Sequence, residues 1–71
     1  MADNQKTVTV NGKPHPHTAG MTVSSLLADL LGEAGTVVVE LNGTIIPRGE
    51  FAQNVIAAGD SVEIVHFVGG G

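Results

Sequence analysis

Cysteine, tryptophan and tyrosine are absent from this 71-residue chain, and only two phenylalanines are present. Without cysteine the chain has no disulfides, no thiolate metal sites and no thiol or persulfide nucleophile of its own. Positive charge is also scarce. Three Lys/Arg against seven Asp/Glu leave a formal charge of −4, the wrong sign for holding a phosphate backbone. Nucleic acid is therefore disfavoured as a partner, and a protein with a basic docking surface is favoured. No apolar run approaches the ~18 residues a membrane helix needs. The opening Met1-Ala2-Asp3-Asn4-Gln5-Lys6 is polar and lacks the apolar core of a signal peptide. A soluble, cytoplasmic chain with no membrane partner is the expectation.

A mass of 7.2 kDa allows one small domain, which by surface scaling buries only about 60% of the area its unfolded chain exposes. That leaves no room for a cleft walled by separate layers, so an autonomous enzyme is not expected. Hydrophobic residues make up 42% of the chain and charged ones 14%, enough apolar material to fold rather than stay disordered.

Thr7-Val8-Thr9-Val10 alternates polar and apolar, the period of a half-buried strand. Asn11-Gly12 follows, a hairpin signal because both central positions of a type I′ turn need positive φ. Lys13 to Thr18 is expected to return, and Pro14 and Pro16 confine that strand to a sheet edge. Thr22 is a plausible N-cap. Val23, Leu26, Leu27, Leu30 and Leu31 then form one apolar helical stripe, opposite Ser24, Ser25, Ala28 and Asp29. Gly32 is placed to close the helix in the αL conformation. Val37 to Leu41 is a β-branched run read as a buried strand, and Asn42-Gly43 turns it into Thr44-Ile45-Ile46, which Pro47 ends. Arg48 to Ile56 reads as a short helical turn with Phe51, and Val55 or Ile56, tucked inward. Gly59-Asp60 is a turn, with Asp60 accepting local backbone hydrogen bonds. Ser61 to Val68 is the last strand, with Val62 and Ile64 on one face and Glu63, Val65 and Phe67 on the other.

The order ββαββ, a helical turn, then β predicts an α+β fold, a mixed four- to five-stranded sheet packed on one main helix. The right-handed crossover rule places the last strand in the middle, parallel to the first. This is a ubiquitin-like β-grasp, expected as one domain over residues 1–68 with a flexible glycine tail over 69–71.

Catalytic constellations are sparse. No Ser-His-Asp arrangement or phosphate-binding glycine loop is present. His15 and His17 have the spacing of a metal pair but no carboxylate or thiolate beside them, so they read as solvent-facing residues of an edge strand. His66 reads as an ordinary strand residue, the alternative being a contact residue next to the glycine end. Arg48 either pairs weakly with Glu50 or anchors a partner.

Gly69-Gly70-Gly71 directly follows a β-branched and aromatic strand. Fixing each residue costs on the order of 1–2 kcal/mol, so a free segment of this kind is mobile. One reading is a frayed terminus or cloning remnant. The other is a wire without side chains that carries the α-carboxylate of Gly71 through a narrow channel into another protein. An ionised carboxylate is a poor electrophile, with a pKa of about 3.3–3.7. Joined to AMP it becomes an acyl carbon open to sulfur or nitrogen nucleophiles.

The ending Gly59-Asp60-Ser61-Val62-Glu63-Ile64-Val65-His66-Phe67-Val68-Gly69-Gly70-Gly71, with Leu41-Asn42-Gly43-Thr44-Ile45-Ile46-Pro47-Arg48 and Val10-Asn11-Gly12, resembles the ThiS family of sulfur carriers in thiamine biosynthesis. Phe51 stands where such proteins often have tryptophan. The resemblance implies that the chain is acted on rather than acting. Gly71 would be adenylated by a ThiF-type adenylyltransferase using ATP and magnesium, and this chain would bind no cofactor itself. A persulfide from a cysteine desulfurase would convert the adenylate to a thiocarboxylate, and a ThiG-type thiazole synthase would consume the sulfur. Gly69 and Gly70 would line the partners' channels. Alone, the chain is expected to be monomeric.

The predicted fold adds a docking surface. With Val62 and Ile64 facing the helix, Val65 and Phe67 point outward, together with one or two of Val37, Val39 and Leu41. The alternative is an outer face covered by one of the chain's own loops. Three other functions stay open: the small subunit of molybdopterin synthase, a ubiquitin-like protein modifier, and a structural binding module with an idle tail.

Overall fold

The computed structural model describes residues 6–32 and 36–67. Over these the chain forms β1 (Thr7–Val10), β2 (Lys13–Pro16), α1 (Val23–Leu31), β3 (Thr36–Leu41), β4 (Thr44–Ile46), a 3-10 turn (Arg48–Glu50) and β5 (Ser61–Phe67). The strands make one five-stranded sheet in the order β2-β1-β5-β3-β4. β5 runs parallel to β1 and antiparallel to β3, so the last strand is central and parallel to the first. The expected β-grasp architecture is observed.

Both hairpins turn on Asn-Gly. Asn11 and Asn42 each have φ of 51°, followed by Gly12 at 84° and Gly43 at 87°. Two successive positive φ values are what a type I′ turn requires. The two asparagine side chains also reach across to β5. Asn11 Oδ1 accepts from the Ile64 N–H at 2.7 Å, and its Nδ2 donates to the Ile64 carbonyl at 3.1 Å. Asn42 Oδ1 accepts from the Ser61 N–H at 2.9 Å. Asn11 thus extends the β1–β5 pairing beyond its last backbone rung, Asn11 N–H to the Val62 carbonyl.

α1 starts with a reciprocal cap. The Thr22 hydroxyl accepts from the Ser25 N–H at 3.1 Å, while the Ser25 hydroxyl accepts from the Thr22 N–H at 2.9 Å. Serine here does the work usually given to Glu or Gln in a capping box. Gly32 closes the helix with φ 67° but ψ −117°, outside the expected αL region though still a conformation suited to glycine.

The core lies between α1 and one face of the sheet. Val8, Val23, Leu26, Val39, Ile56 and Val62 are each 1% exposed or less, and Met21 and Leu27 join them. Phe51 is half-buried against this cluster. Of the two candidates after it, Ile56 is buried and Val55 is exposed. The helical stripe thins at its end: Leu31 packs against the core, but Leu30 is 40% exposed.

Two further sequence expectations are corrected. β2 ends at Pro16 rather than Thr18, because Thr18 and the residues after it turn toward α1, with the Met21 N–H donating to the Thr18 carbonyl at 3.0 Å. His15 and His17 are not simply solvent-facing. His15 is half-buried and in register with Val8 on the core side. His17 lies past the strand, partly buried, with Nε2 2.8 Å from the Ile56 carbonyl.

The Asn11 clamp can be tested without disturbing the turn. Asn11→Gly keeps the positive φ and removes both side-chain bonds. It should cost about 1–2 kcal/mol in chemical denaturation and speed hydrogen exchange at the Ile64 amide. Exchange at Ile64 unchanged from wild type would show that the clamp carries no stability.

Candidate functional site

Strand pleating sends alternate residues to opposite faces, so the core-facing set determines the outward set. On β5, Val62 and Ile64 face α1, while Glu63, Val65 and Phe67 face away. Residues directly opposite in an antiparallel pair share a face. The β3–β5 register pairs Thr36 with Phe67, Val38 with Val65 and Glu40 with Glu63, and β4 adds Ile45 opposite Glu40. The outer face of these three strands therefore carries Ile45, Val38, Val65 and Phe67 around two opposed carboxylates.

This face is open. Ile45 is 61%, Phe67 55%, Val65 54% and Val38 38% exposed. Among the described residues no loop covers Phe67: α1 and the 51–56 segment both pack on the other face. The companions expected from β3 are also corrected. Val37, Val39 and Leu41 belong to the core side, with Val39 fully buried. Their outward neighbour is Val38. Register with β5 decides this parity, and a run of three valines with no alternation of its own does not reveal it.

Arg48 is exposed in the 3-10 turn after β4 rather than on a strand of this face. Asp60 behaves as a turn residue: its Oδ2 accepts from the Ala57 N–H at 2.9 Å. No group of three or more metal-ligating side chains occurs among the described residues. No helix among them is long and apolar enough to cross a membrane. A depression of about 320 Å³ beside the start of α1 is lined by Thr18, Ala19, Gly20, Met21, Ser25 and Asp29. Asp29 is its one ionisable group, so it offers no acid–base pair. Gly69, Gly70 and Gly71, the expected reactive tail, lie outside the described residues.

Sequence reasoning picked out Val65 and Phe67 from the period of β5. It missed Val38, Ile45 and the Glu40–Glu63 opposition. Only the pairing of non-adjacent strands brings these together.

Exposure of this kind predicts a clean separation of folding from docking. Phe67→Ala should change stability by no more than about 0.5 kcal/mol, as surface substitutions do. Leu26→Ala, in the core, should cost about 2–5 kcal/mol. If thermal melting showed comparable losses for both, Phe67 would belong to the core.

Known proteins resemble the chain both in sequence and in fold. The crystal structure of the thiamine biosynthesis protein ThiS from Geobacter metallireducens superposes with a TM-score of 0.74 at 40% identity, covering 92% of this chain and 99% of that one. The sulfur carrier protein ThiS of Bacillus subtilis is 42% identical over 50 residues, 70% of this chain and 76% of that protein. A thiazole synthase of Paramagnetospirillum magneticum is 42% identical over 62 residues, 87% of this chain but only 19% of that enzyme. The chain thus spans about a fifth of the thiazole synthases it matches. The sequence pattern of the ThiS family covers residues 8–71, and the chain belongs to that family.

Proposed function

We propose that this chain is a sulfur carrier in thiamine biosynthesis, a protein cosubstrate rather than an enzyme. The observation that carries the proposal is the family match, which runs through the open face of the sheet and the three glycines to residue 71. The named likenesses support it: a sulfur carrier protein of similar length, and thiazole synthases of which one segment resembles this chain.

In this reading the folded body is a handle and the carboxylate of Gly71 is the working group. A ThiF-type adenylyltransferase with ATP and magnesium joins that carboxylate to AMP and releases pyrophosphate. The terminal sulfur of a persulfide, loaded by a cysteine desulfurase, then attacks the acyl carbon and displaces AMP. Thiol reduction of the resulting acyl disulfide leaves the thiocarboxylate. Its sulfur is nucleophilic at neutral pH, which suits transfer to thiazole synthase. Gly69 and Gly70 thread the partners' channels, where the absence of side chains allows close backbone approach. Phe67 and Val65 dock on the partner, and Arg48 contacts it from the edge of the sheet. ATP as the activating substrate and the absence of cysteine both fit a cytoplasmic setting.

Nothing observed in the fold favours the molybdopterin branch or a protein modifier over this reading.

The test is to incubate the chain with a ThiF-type adenylyltransferase, ATP, magnesium and a persulfide-loaded desulfurase, then weigh it. The expected product has one sulfur in place of one oxygen at Gly71, and adding a single residue after Gly71 should abolish it without altering the melting temperature. Conversion of the extended chain at the normal rate, or linkage of Gly71 to lysines instead of sulfur exchange, would overturn the proposal.

A further inference from the structure

Two carboxylates stand opposite each other in the middle of the open face. Glu40 on β3 pairs in register with Glu63 on β5, and directly opposed residues of an antiparallel pair hold their Cβ atoms about 4.5–5.5 Å apart. Like charges so placed destabilise a sheet. The strands supply no relief: Lys6 precedes β1, Lys13 is on the far edge strand β2, and Arg48 is in the 3-10 turn. The neighbour of Glu40 on β4 is Ile45, and two residues along the paired strands stand Val38 and Val65. The pair is thus set in an apolar rim whose members are 38–61% exposed.

We propose that this face receives a partner protein's apolar surface bearing one arginine, whose guanidinium inserts between Glu40 and Glu63 while Phe67, Val65, Val38 and Ile45 seat around it. The inference rests on reading the face as the carrier's docking surface and adds the chemistry of the complementary patch. Arginine suits the position better than lysine. Its planar fork can donate to two carboxylates at once, and it is more weakly hydrated than an ammonium group. Covering the apolar rim removes water from the pair, which strengthens the new contacts. A net charge of −4 speeds the encounter with a basic patch. The opposed carboxylates cost stability in the isolated chain, and a cation brought by the partner relieves that cost. The arrangement therefore favours partners that carry a cation at this point over equally apolar surfaces that do not.

Glu63→Gln separates the two effects. The isolated variant should melt at the same or a higher temperature than wild type. Its affinity for a ThiF-type adenylyltransferase should fall about tenfold or more, as when one partner of a desolvated charge pair is removed, and the salt dependence of binding should flatten. KM for adenylation should rise with kcat unchanged, because docking lies apart from the reacting carboxylate. Asp29→Asn, on the helix side, makes the same change in net charge and should leave affinity and KM alone. Equal effects of the two substitutions would show that net charge alone acts, and a lower melting temperature for Glu63→Gln would show that the carboxylate is structural. Either result overturns the proposal while leaving the carrier function intact. Failure of the wild-type chain to bind or be adenylated would overturn the carrier reading and this inference together.

Discussion

The lodging of β5 between β1 and β3 is the constraint on which everything else depends. A central strand has both edges spoken for, and here each edge meets a backbone ladder extended by an asparagine side chain, Asn11 on one side and Asn42 on the other. α1 joins β2 to β3, which lie on opposite sides of the β1–β5 pair, so this crossover carries the helix over the central strands. One helix of nine residues can cover one face of a five-stranded sheet. Among the described residues no second layer covers the other.

The division of labour on β5 follows from that shortage. Its even-numbered residues Val62 and Ile64 are spent on the core, and its odd-numbered residues Glu63, Val65 and Phe67 are left to the outer face. An exposed phenylalanine beside exposed valines in a chain with two aromatics in all is costly to leave in water unless another surface covers it. The same strand then leads toward the glycines at 69–71. The proposed docking surface and the proposed working group therefore lie close together along the sequence. A partner that grips the sheet gains a defined starting point for the segment that follows.

Much of this was legible in the residues. The two Asn-Gly turns, the helix from Thr22 to Gly32, the edge character of the proline-bearing β2 and the central place of the last strand all follow from local rules and the crossover rule. So does the outward side of β5, whose alternation is clear. Less was legible where the signal is not local. The Val37-Val38-Val39 run has no period of its own, so its outward residue was misassigned. The clamps from Asn11 and Asn42, the burial of Met21 and the His17 contact with Ile56 join positions distant in sequence. Ser25 as the reciprocal half of the Thr22 cap was hidden because serine also reads as an ordinary exposed helix residue.

By itself, the sequence determined which segments are strand, helix or turn, because hydrophobic period, positive-φ asparagine–glycine pairs and capping hydroxyls act over a few residues. It also determined that the chain carries no thiol and an excess of negative charge. The tertiary structure alone decided which valine of β3 faces outward and that Glu40 stands against Glu63. Strand register sets both, and a shift of one residue in register exchanges the two faces of a strand while leaving every local preference unchanged.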